Sequence, residues 1–321
     1  MGERGPRVTH LALVGPTAAG KSALAFALAR ELGDVEIISL DSMQVYRGMD
    51  IGTAKPTPAE RAAVVHHLVD VADPDDDWSV ARTQAGARAA LADIEARGRR
   101  ALLVGGTGLY VRAVVDDLQI PGEDLARRAE LEAATEPVEG LERAYRELED
   151  LDPAAAARIE PLNRRRIVRA LEVIHLTGRP FSSFGPGVDH FGPPAVPVRM
   201  IGVWLPRAAH ARRIAERVAD MCDAGLVDEV RALAARPGGL SRNAAQAIGY
   251  REILDHLAGE IPTLDAAADL IAQRTRAFAR RQRMWFRRDP RITWLGTTGE
   301  PQRLLALVDA LWRAQPAAVA A

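Results

Sequence analysis

The stretch Gly15-Pro16-Thr17-Ala18-Ala19-Gly20-Lys21-Ser22 decides the fold of this chain. It fits the P-loop pattern G-x-x-x-x-G-K-[ST] without a mismatch. The apolar run 10–14 predicts a strand that leads into it, and the Ala- and Leu-rich segment 23–29 predicts the helix that follows. In such a turn the backbone N–H groups face inward and the helix dipole adds positive potential, so the main chain can bind an oligophosphate.

Lysine usage points to the same stretch. Of the 42 basic residues, only Lys21 and Lys55 are lysines, and the rest are arginines. A lysine at this position of so Arg-rich a chain indicates that a compact ammonium group is required there.

Composition sets wider bounds on the protein. A length of 321 residues is enough for one large or two smaller domains, and a net charge of −1 gives no overall sign of nucleic-acid binding. The single cysteine, Cys222, excludes an internal disulfide and a Cys-rich zinc module. No run is long and apolar enough for a membrane span, and the N-terminus lacks a signal sequence. We therefore expect a cytoplasmic enzyme that does not associate with membranes.

The first part of the chain alternates strand-like and helix-like segments. A β-rich run at 36–40 ends at Asp41, a helix is predicted for 81–98, and a buried strand at 101–104 runs into a Gly-Gly-Thr-Gly turn that contains Thr107. This alternation favours a parallel sheet with helices on both faces, whose ligands bind at the carboxyl ends of the strands. The P-loop, Asp41 and Thr107 are therefore expected on one edge.

The middle of the chain changes character. The segment 123–150 is acidic and has helical spacing without a strand-like run, whereas 198–204 predicts a strand that returns to the sheet. The predicted organisation is an α/β core at 1–118 plus 198–315, a helical insertion at 119–197 and a disordered tail at 316–321.

Two predicted helices carry arginine-rich faces. The helix that begins after Asn163 places Arg165, Arg166 and Arg169 opposite an apolar stripe. The segment 274–291 contains eight arginines and one aspartate, next to a seven-residue repeat of Ile271, Phe278 and Trp285. Charge separated in this way within a nearly neutral chain favours a polyanionic partner.

Three further side chains have two interpretations each. Asp41 follows a strand, where a carboxylate acts as a metal ligand or general base, or caps the next segment. Arg213 and Arg217 lie four residues apart on a predicted helix. They suit either the grip of a diphosphate or a solvated face.

Taken together, these motifs resemble the bacterial tRNA dimethylallyltransferase family. The likeness runs from Val8 to Leu295 and rests above all on Asp41-Ser42-Met43-Gln44-Val45-Tyr46-Arg47-Gly48-Met49-Asp50-Ile51-Gly52-Thr53-Ala54-Lys55-Pro56, which is not a general P-loop feature. Further matches are the Gly-Gly-Thr-Gly-Leu-Tyr turn at 105–110, the segment 163–172 and the Ile-Gly-Tyr-Arg-Glu segment at 248–252. After the strand 101–104, many P-loop NTPases have an aspartate that holds Mg²⁺, whereas this chain has glycines. In the family that it resembles, the P-loop binds the diphosphate of the prenyl donor and not ATP, which accounts for the missing aspartate.

The resemblance implies a P-loop NTPase-like α/β fold with an inserted all-helical domain. It implies transfer of a dimethylallyl group from dimethylallyl diphosphate to N6 of the adenosine just 3′ of the anticodon in tRNA. The catalytic residues implied are Asp41 as the base, with Thr17, Arg213 and Arg217. The P-loop residues 15–22 would bind the diphosphate, with Mg²⁺ near Ser22. The residues implied to contact tRNA are Asp41, Ser42, Met43, Gln44, Thr107, Arg165, Arg166, Ile167, Val168, Arg169, Gln246, Gly249, Tyr250 and Arg251.

The expected partners are the anticodon stem-loop and the prenyl donor, and nothing in the sequence demands more than a monomer. Other functions stay open at this point. They are a P-loop kinase of a nucleotide or small metabolite, a non-catalytic RNA-binding protein and a prenyltransferase of free adenylate.

Overall fold

The structure, a computed structural model, describes residues 10–185, 187–188, 190–297 and 301–314. The disordered tail predicted at 316–321 lies outside these residues. The described residues form two compact units, of which the second spans Leu118–Gly192 and the first contains the residues before and after it.

The helices and strands follow one another along the chain. Before the second unit lie β1 His10–Val14, α1 Lys21–Leu32, β2 Val35–Ser39, α2 Pro58–Ala63, β3 His66–His67, α3 Val80–Ala96, β4 Arg100–Gly105 and α4 Gly108–Val115. The second unit contains α5 Leu125–Ala134, α6 Val138–Leu151, α7 Pro153–Ala156, α8 Arg164–Thr177 and a 3₁₀ turn at Phe181–Phe184. After it lie β5 Val198–Trp204, α9 Arg207–Asp223, α10 Leu226–Ala234, α11 Arg242–Ala245, α12 Tyr250–Leu257, α13 Leu264–Phe286, β6 Ile292–Gly296, a 3₁₀ turn at Pro301–Leu304 and α14 Leu305–Arg313.

All six strands form one parallel sheet in the order β3-β2-β4-β1-β5-β6. Every residue of β1 and β2 is buried, as the near-continuous apolar sequence of these strands predicts for a sheet covered on both faces. Val14 at the end of β1 lies opposite Gly105 at the end of β4 and Gly202, two residues before the end of β5, so the carboxyl ends of the central strands lie at one edge of the sheet. The predicted fold class is confirmed.

The seven-residue repeat noted in the sequence of α13 is only partly buried. Ile271 is buried as expected, but Phe278 and Trp285 are only half-buried, and Ala279, Gln282 and Phe286 take their place in the interior. An α-helix has 3.6 residues per turn, so a strict seven-residue repeat drifts around a long straight helix. The drift turns one amide side chain, that of Gln282, inward.

The second unit is helical throughout its described elements. Its core contains Leu148, Ile167 and Leu171, all fully buried. As predicted, α8 begins after Asn163, whose side chain accepts a hydrogen bond from Arg166 N, and it ends at Gly178 in the left-handed conformation. The unit ends at Gly192, before the predicted limit of 197, and the N–H of Ala195 already bonds within the first unit, to the carbonyl of Val115.

No helix in the described part of the chain is both long and apolar enough to cross a bilayer.

Candidate active site

The P-loop leaves β1 at the centre of the carboxyl edge of the sheet. Gly15 has a φ of +136°, and a Cβ there would lie 2.4 Å from the carbonyl oxygen of Val203 in β5. Only glycine allows this approach, which places the loop directly against the neighbouring strand. The loop continues through Pro16, Thr17, Ala18, Ala19 and Gly20 into α1, which begins at Lys21.

Lys21 is held inside the loop rather than in solvent. It is 8% exposed, and its Nζ donates a hydrogen bond to the carbonyl of Pro16 at 2.8 Å. Burial lowers the pKa of the Lys21 ammonium to about 8; the Asp41 carboxylate opposes this shift and the Arg217 guanidinium adds to it. The neighbouring Ser22 is exposed, and its hydroxyl bonds to no described residue.

Asp41, two residues after the end of β2, caps the turn that follows it, which is one of the roles that the sequence left open. Its Oδ1 accepts hydrogen bonds from the N–H groups of Met43 at 2.8 Å and Gln44 at 3.3 Å, so it caps the turn. Its Oδ2 accepts no hydrogen bond from a described residue. One carboxylate oxygen is thus used to shape the loop, and the other remains available for chemistry.

Arg213 and Arg217 reach this edge from α9, which follows β5. Neither forms an ion pair or hydrogen bond with a described side chain. Burial lowers the pKa of Arg217, with the Asp41 carboxylate opposing and Arg213 adding to the shift. Lys21 interacts electrostatically with Arg217 and Asp41, so these three charges meet at one place.

The peptide of Thr17 is held from both sides by residues that the sequence analysis missed. Its N–H donates to Gln282 Oε1 at 2.8 Å, and its carbonyl accepts from His210 Nε2 at 2.7 Å. Thr17 Oγ1 bonds to no described residue. Gln282 also donates to the carbonyl of Gly106 at 2.9 Å, beside Thr107, a half-buried residue whose side chain does not cap α4.

The loop after Asp41 is built on internal contacts that limit which of its side chains can meet a ligand. Gln44 is 9% exposed, accepts from Ser39 Oγ and donates to two loop carbonyls, so its side chain is not free to bind RNA as predicted. Ser42 and Met43 are half-buried. The carboxylate of Glu229, also missed from the sequence, accepts from the N–H groups of Asp50, Ile51 and Gly52.

The segment 246–251 is partly withdrawn from solvent as well. Tyr250 is fully buried, and its hydroxyl donates to Glu229 at 2.6 Å, so the predicted contact of this side chain with tRNA has no surface to act through. The N–H of Gly249 donates to Glu252 at 2.7 Å. The side chains of Gln246 and Arg251 are exposed.

In the second unit, the predicted range 165–169 divides in the same way. Arg165 and Arg166 are exposed and form no ion pair with a described residue. Ile167 and Val168 lie in the core of the unit, because the helix must bury one face, and their side chains are not available to a nucleic acid. Arg169 is half-buried, forms an ion pair with Glu172 at 2.9 Å and donates a hydrogen bond to the carbonyl of Pro121 at 2.8 Å.

A cleft of about 700 Å³ lies between α9 and α13. Its lining is rich in arginine and reaches His210, which bonds to the P-loop. Four of the lining arginines are exposed and have no acidic partner among the described residues: Arg207, Arg276, Arg280 and Arg287. The floor is apolar, with Ile214 and Ala279 buried.

The chain is similar to known proteins over most of its length. Residues 44–289 match the family profile described as IPP transferase, and residues 8–68 match the one described as isopentenyl transferase. The chain is 52% identical to the tRNA dimethylallyltransferase of Kineococcus radiotolerans over 90% of this chain and 91% of that one. It is 50% identical to that of Streptomyces coelicolor over 95% and 96%.

A solved structure supports the same assignment. The crystal structure of the tRNA isopentenylpyrophosphate transferase of Bacillus halodurans is 40% identical, covers 94% of this chain and 95% of its own, and superposes with a TM-score of 0.67. The resemblance noted in the sequence is confirmed. The chain therefore belongs to the tRNA dimethylallyltransferase family of prenyltransferases.

Proposed function

We propose that this protein transfers the dimethylallyl group of dimethylallyl diphosphate to N6 of the adenosine on the 3′ side of the anticodon in tRNA and releases diphosphate. One observation carries the proposal. At the P-loop, a carboxylate oxygen of Asp41 that accepts no hydrogen bond from a described residue interacts electrostatically with two cations, Lys21 and Arg217. A base beside an anion site is what this reaction needs.

The cations would bind the leaving group. As the bond between the allylic carbon and the diphosphate oxygen breaks, the electron pair departs with the oxygen and negative charge grows on the diphosphate. The P-loop amides, Lys21 and the unpaired arginines are in place before the reaction to stabilise that charge. Of the two arginines on α9, we assign the direct contact with the diphosphate to Arg217, because it interacts with both Lys21 and Asp41.

Asp41 would act on the nucleophile. An exocyclic adenine amine is weakly nucleophilic because its lone pair is delocalised into the ring, so positioning and proton removal both matter. The new bond joins N6 to the allylic carbon, and the proton of N6 passes to Asp41 Oδ2. The hydroxyl of Thr17 bonds to no residue in the described part of the chain, and it is available to contact the diphosphate.

The residues present also fit a magnesium ion. The hydroxyl of Ser22 and the Oδ2 of Asp41 are oxygen donors without a hydrogen-bond partner in the described part of the chain. Mg²⁺ commonly takes one or two such protein oxygens and completes its shell with phosphate oxygens and water. We assign Ser22 to it; the ion would help neutralise charge on the diphosphate.

The exposed arginines would bind the RNA. Arg165 and Arg166 on α8, and the four unpaired arginines of the cleft between α9 and α13, supply positive charge for the sugar–phosphate backbone. RNA loops are where a base can be splayed from its stack toward a pocket. We further propose that the protein acts as a monomer in the cytoplasm.

The test is a transfer assay. The purified protein is incubated with labelled dimethylallyl diphosphate, Mg²⁺ and an adenosine-bearing anticodon stem-loop, with free AMP as the competing acceptor. We expect label in the RNA, none in AMP, and none in RNA with the Asp41→Ala variant. Label on AMP alone would reassign the protein to the adenylate prenyltransferases. ATP-dependent phosphate transfer without prenylation would make it a kinase.

A further inference from the structure

The side chain of Gln282 forms hydrogen bonds to two loops whose relative position matters for the proposed reaction. It lies near the C-terminal end of α13 and is 6% exposed. Its Oε1 accepts from the N–H of Thr17 in the loop after β1, and its Nε2 donates to the carbonyl of Gly106 in the loop after β4. One side chain therefore bonds to the loop for the diphosphate and to the loop that carries Thr107.

The orientation of this amide is determined by its partners. A backbone N–H requires an acceptor and a backbone carbonyl requires a donor, so only one of the two amide orientations satisfies both. The absence of a side chain at Gly106 provides the space for this amide, because a Cβ there would lie 2.6 Å from Gln282 Nε2. Both polar atoms of a buried amide are satisfied at one place, which makes the bridge specific rather than incidental.

The bridge changes what Thr17 can offer a ligand. Main-chain N–H groups of a P-loop commonly bind phosphate, but the N–H of Thr17 donates to Gln282. Its carbonyl is held by His210. With both ends of the residue bonded to the protein, Thr17 can meet the diphosphate only through its hydroxyl.

We propose that Gln282 is a positioning residue. It fixes the Thr17 peptide against the loop after β4, so that the donor diphosphate and the acceptor base are held at the distance that transfer requires. This inference rests on the proposed function. It concerns how a residue acts through Thr17 and Gly106, not contact of Gln282 with substrate.

Two variants of Gln282 separate the parts of the bridge. Gln282→Leu removes both hydrogen bonds. Gln282→Glu keeps an acceptor for Thr17 but replaces the donor to Gly106 with a second oxygen, which can donate only when the carboxyl group is protonated. The matched control is Thr83→Val, which deletes a buried hydrogen bond of 2.7 Å from Trp78 Nε1 and leaves both hydrogen bonds of Gln282 in place.

The first measurement is steady-state transfer to the stem-loop, with pyrophosphate affinity measured separately by calorimetry. We expect Gln282→Leu to lower kcat by roughly 10- to 100-fold, as a misplacement of about 1 Å does, and to change the pyrophosphate Kd little. Thr83→Val should lower the melting temperature similarly but leave kcat unchanged. For Gln282→Glu, kcat relative to the wild type should fall as pH rises and the carboxyl group ionises. Equal kcat values for Gln282→Leu and Thr83→Val would overturn the inference.

The second measurement does not depend on the reaction. In Gln282→Leu, amide hydrogen exchange should become faster in the peptides that cover 15–22 and 105–110, whereas Thr83→Val should leave both unchanged. If the wild type fails to prenylate RNA, the proposed function fails, and this exchange experiment still decides whether the bridge exists. Unchanged exchange in both loops would refute it.

Discussion

Near the amino end of β2 a buried carboxylate is paired with cations, whereas at the carboxyl ends of the strands several charged groups have no such partner among the described residues. Glu36 in β2 is fully buried, and it accepts hydrogen bonds from His67 at 2.7 Å and from Arg97 at 2.9 Å. On the opposite edge, Arg217 and the Oδ2 of Asp41 have no hydrogen-bond partner among the described residues. Because the two edges belong to the same sheet, we interpret the difference as a difference in function. Paired charges at the amino edge stabilise the fold, and unpaired charges at the carboxyl edge are available to bind a charged ligand. We call these the paired edge and the unpaired edge.

The largest expected effect follows from removing the base at the unpaired edge. Asp41→Ala should lower turnover by roughly 10²–10⁴, the usual contribution of a general base, with little change in prenyl-diphosphate affinity. Asp41→Asn is the matched variant, because its amide oxygen can still accept from the N–H of Met43 and keep the turn. Both are measured by label transfer to the stem-loop. If Asp41→Asn retains wild-type turnover, Asp41 shapes the loop and does nothing more.

The next effect concerns the paired edge. Glu36→Gln should reduce the free energy of unfolding by about 1.5–3 kcal/mol, the value of hydrogen bonds to a charged group, and leave turnover intact. Urea unfolding monitored by circular dichroism measures it. A variant that loses turnover and keeps its stability would reverse the comparison between the edges.

The interaction between Glu36 and Arg97 predicts that the free energy of unfolding depends on pH. The hydrogen bond from Arg97 lowers the pKa of Glu36 from 4.5 to about 2, with burial opposing and His67 adding to the shift. The carboxylate therefore contributes its full stability above pH 4.5, and the contribution is lost as the pH falls toward 2. The difference in unfolding free energy between wild type and Glu36→Gln should shrink over that window. A difference that does not change with pH would contradict the ion pair.

A smaller effect sharpens the picture of the anion site. Because burial lowers the pKa of Lys21 to about 8, the free protein loses this charge above that pH. Binding of pyrophosphate favours the ammonium form, so affinity should fall by up to about tenfold per pH unit above 8. Calorimetry between pH 7 and 10 measures it, and Lys21→Met corrects for the ionisation of pyrophosphate itself. Parallel curves for the two proteins would exclude Lys21 as the titrating ligand.

The smallest effect lies in the second unit. Arg165→Ala should weaken binding of the stem-loop a few-fold and reduce the slope of log K against log salt by about 1. Arg169→Ala is the control, because Arg169 is bonded to Glu172 and Pro121 and should alter the stability of the unit rather than the slope. Equal slopes for Arg165→Ala and the wild type would remove Arg165 from the RNA surface.

Local pattern was enough to predict the fold and the edge of the sheet at which the loops of the proposed site meet. The P-loop, Asp41 and Thr107 each follow an apolar strand, and parallel topology brings the ends of such strands to one edge. Gln282 and His210 were missed, because they lie 265 and 193 residues from Thr17 and meet it only through helix packing.

The contacts of single side chains were also beyond the sequence. Ile167 and Tyr250 stand in segments that resemble RNA-binding motifs, yet both are buried. A motif marks the segment that is used, but only packing decides which of its side chains reach the surface.

The most direct measurement compares one arginine from each edge in the same two assays, turnover and free energy of unfolding. Arg217→Gln should lower kcat by roughly 10²–10³, as loss of one preorganised donor does. It should not lower stability, because Arg217 is buried beside the like-charged Arg213 and forms no hydrogen bond or ion pair with a described residue. Arg97→Gln should lower stability and leave kcat unchanged. If Arg217→Gln destabilises the protein and retains turnover, the unpaired edge is not the site of diphosphate release and the account is wrong.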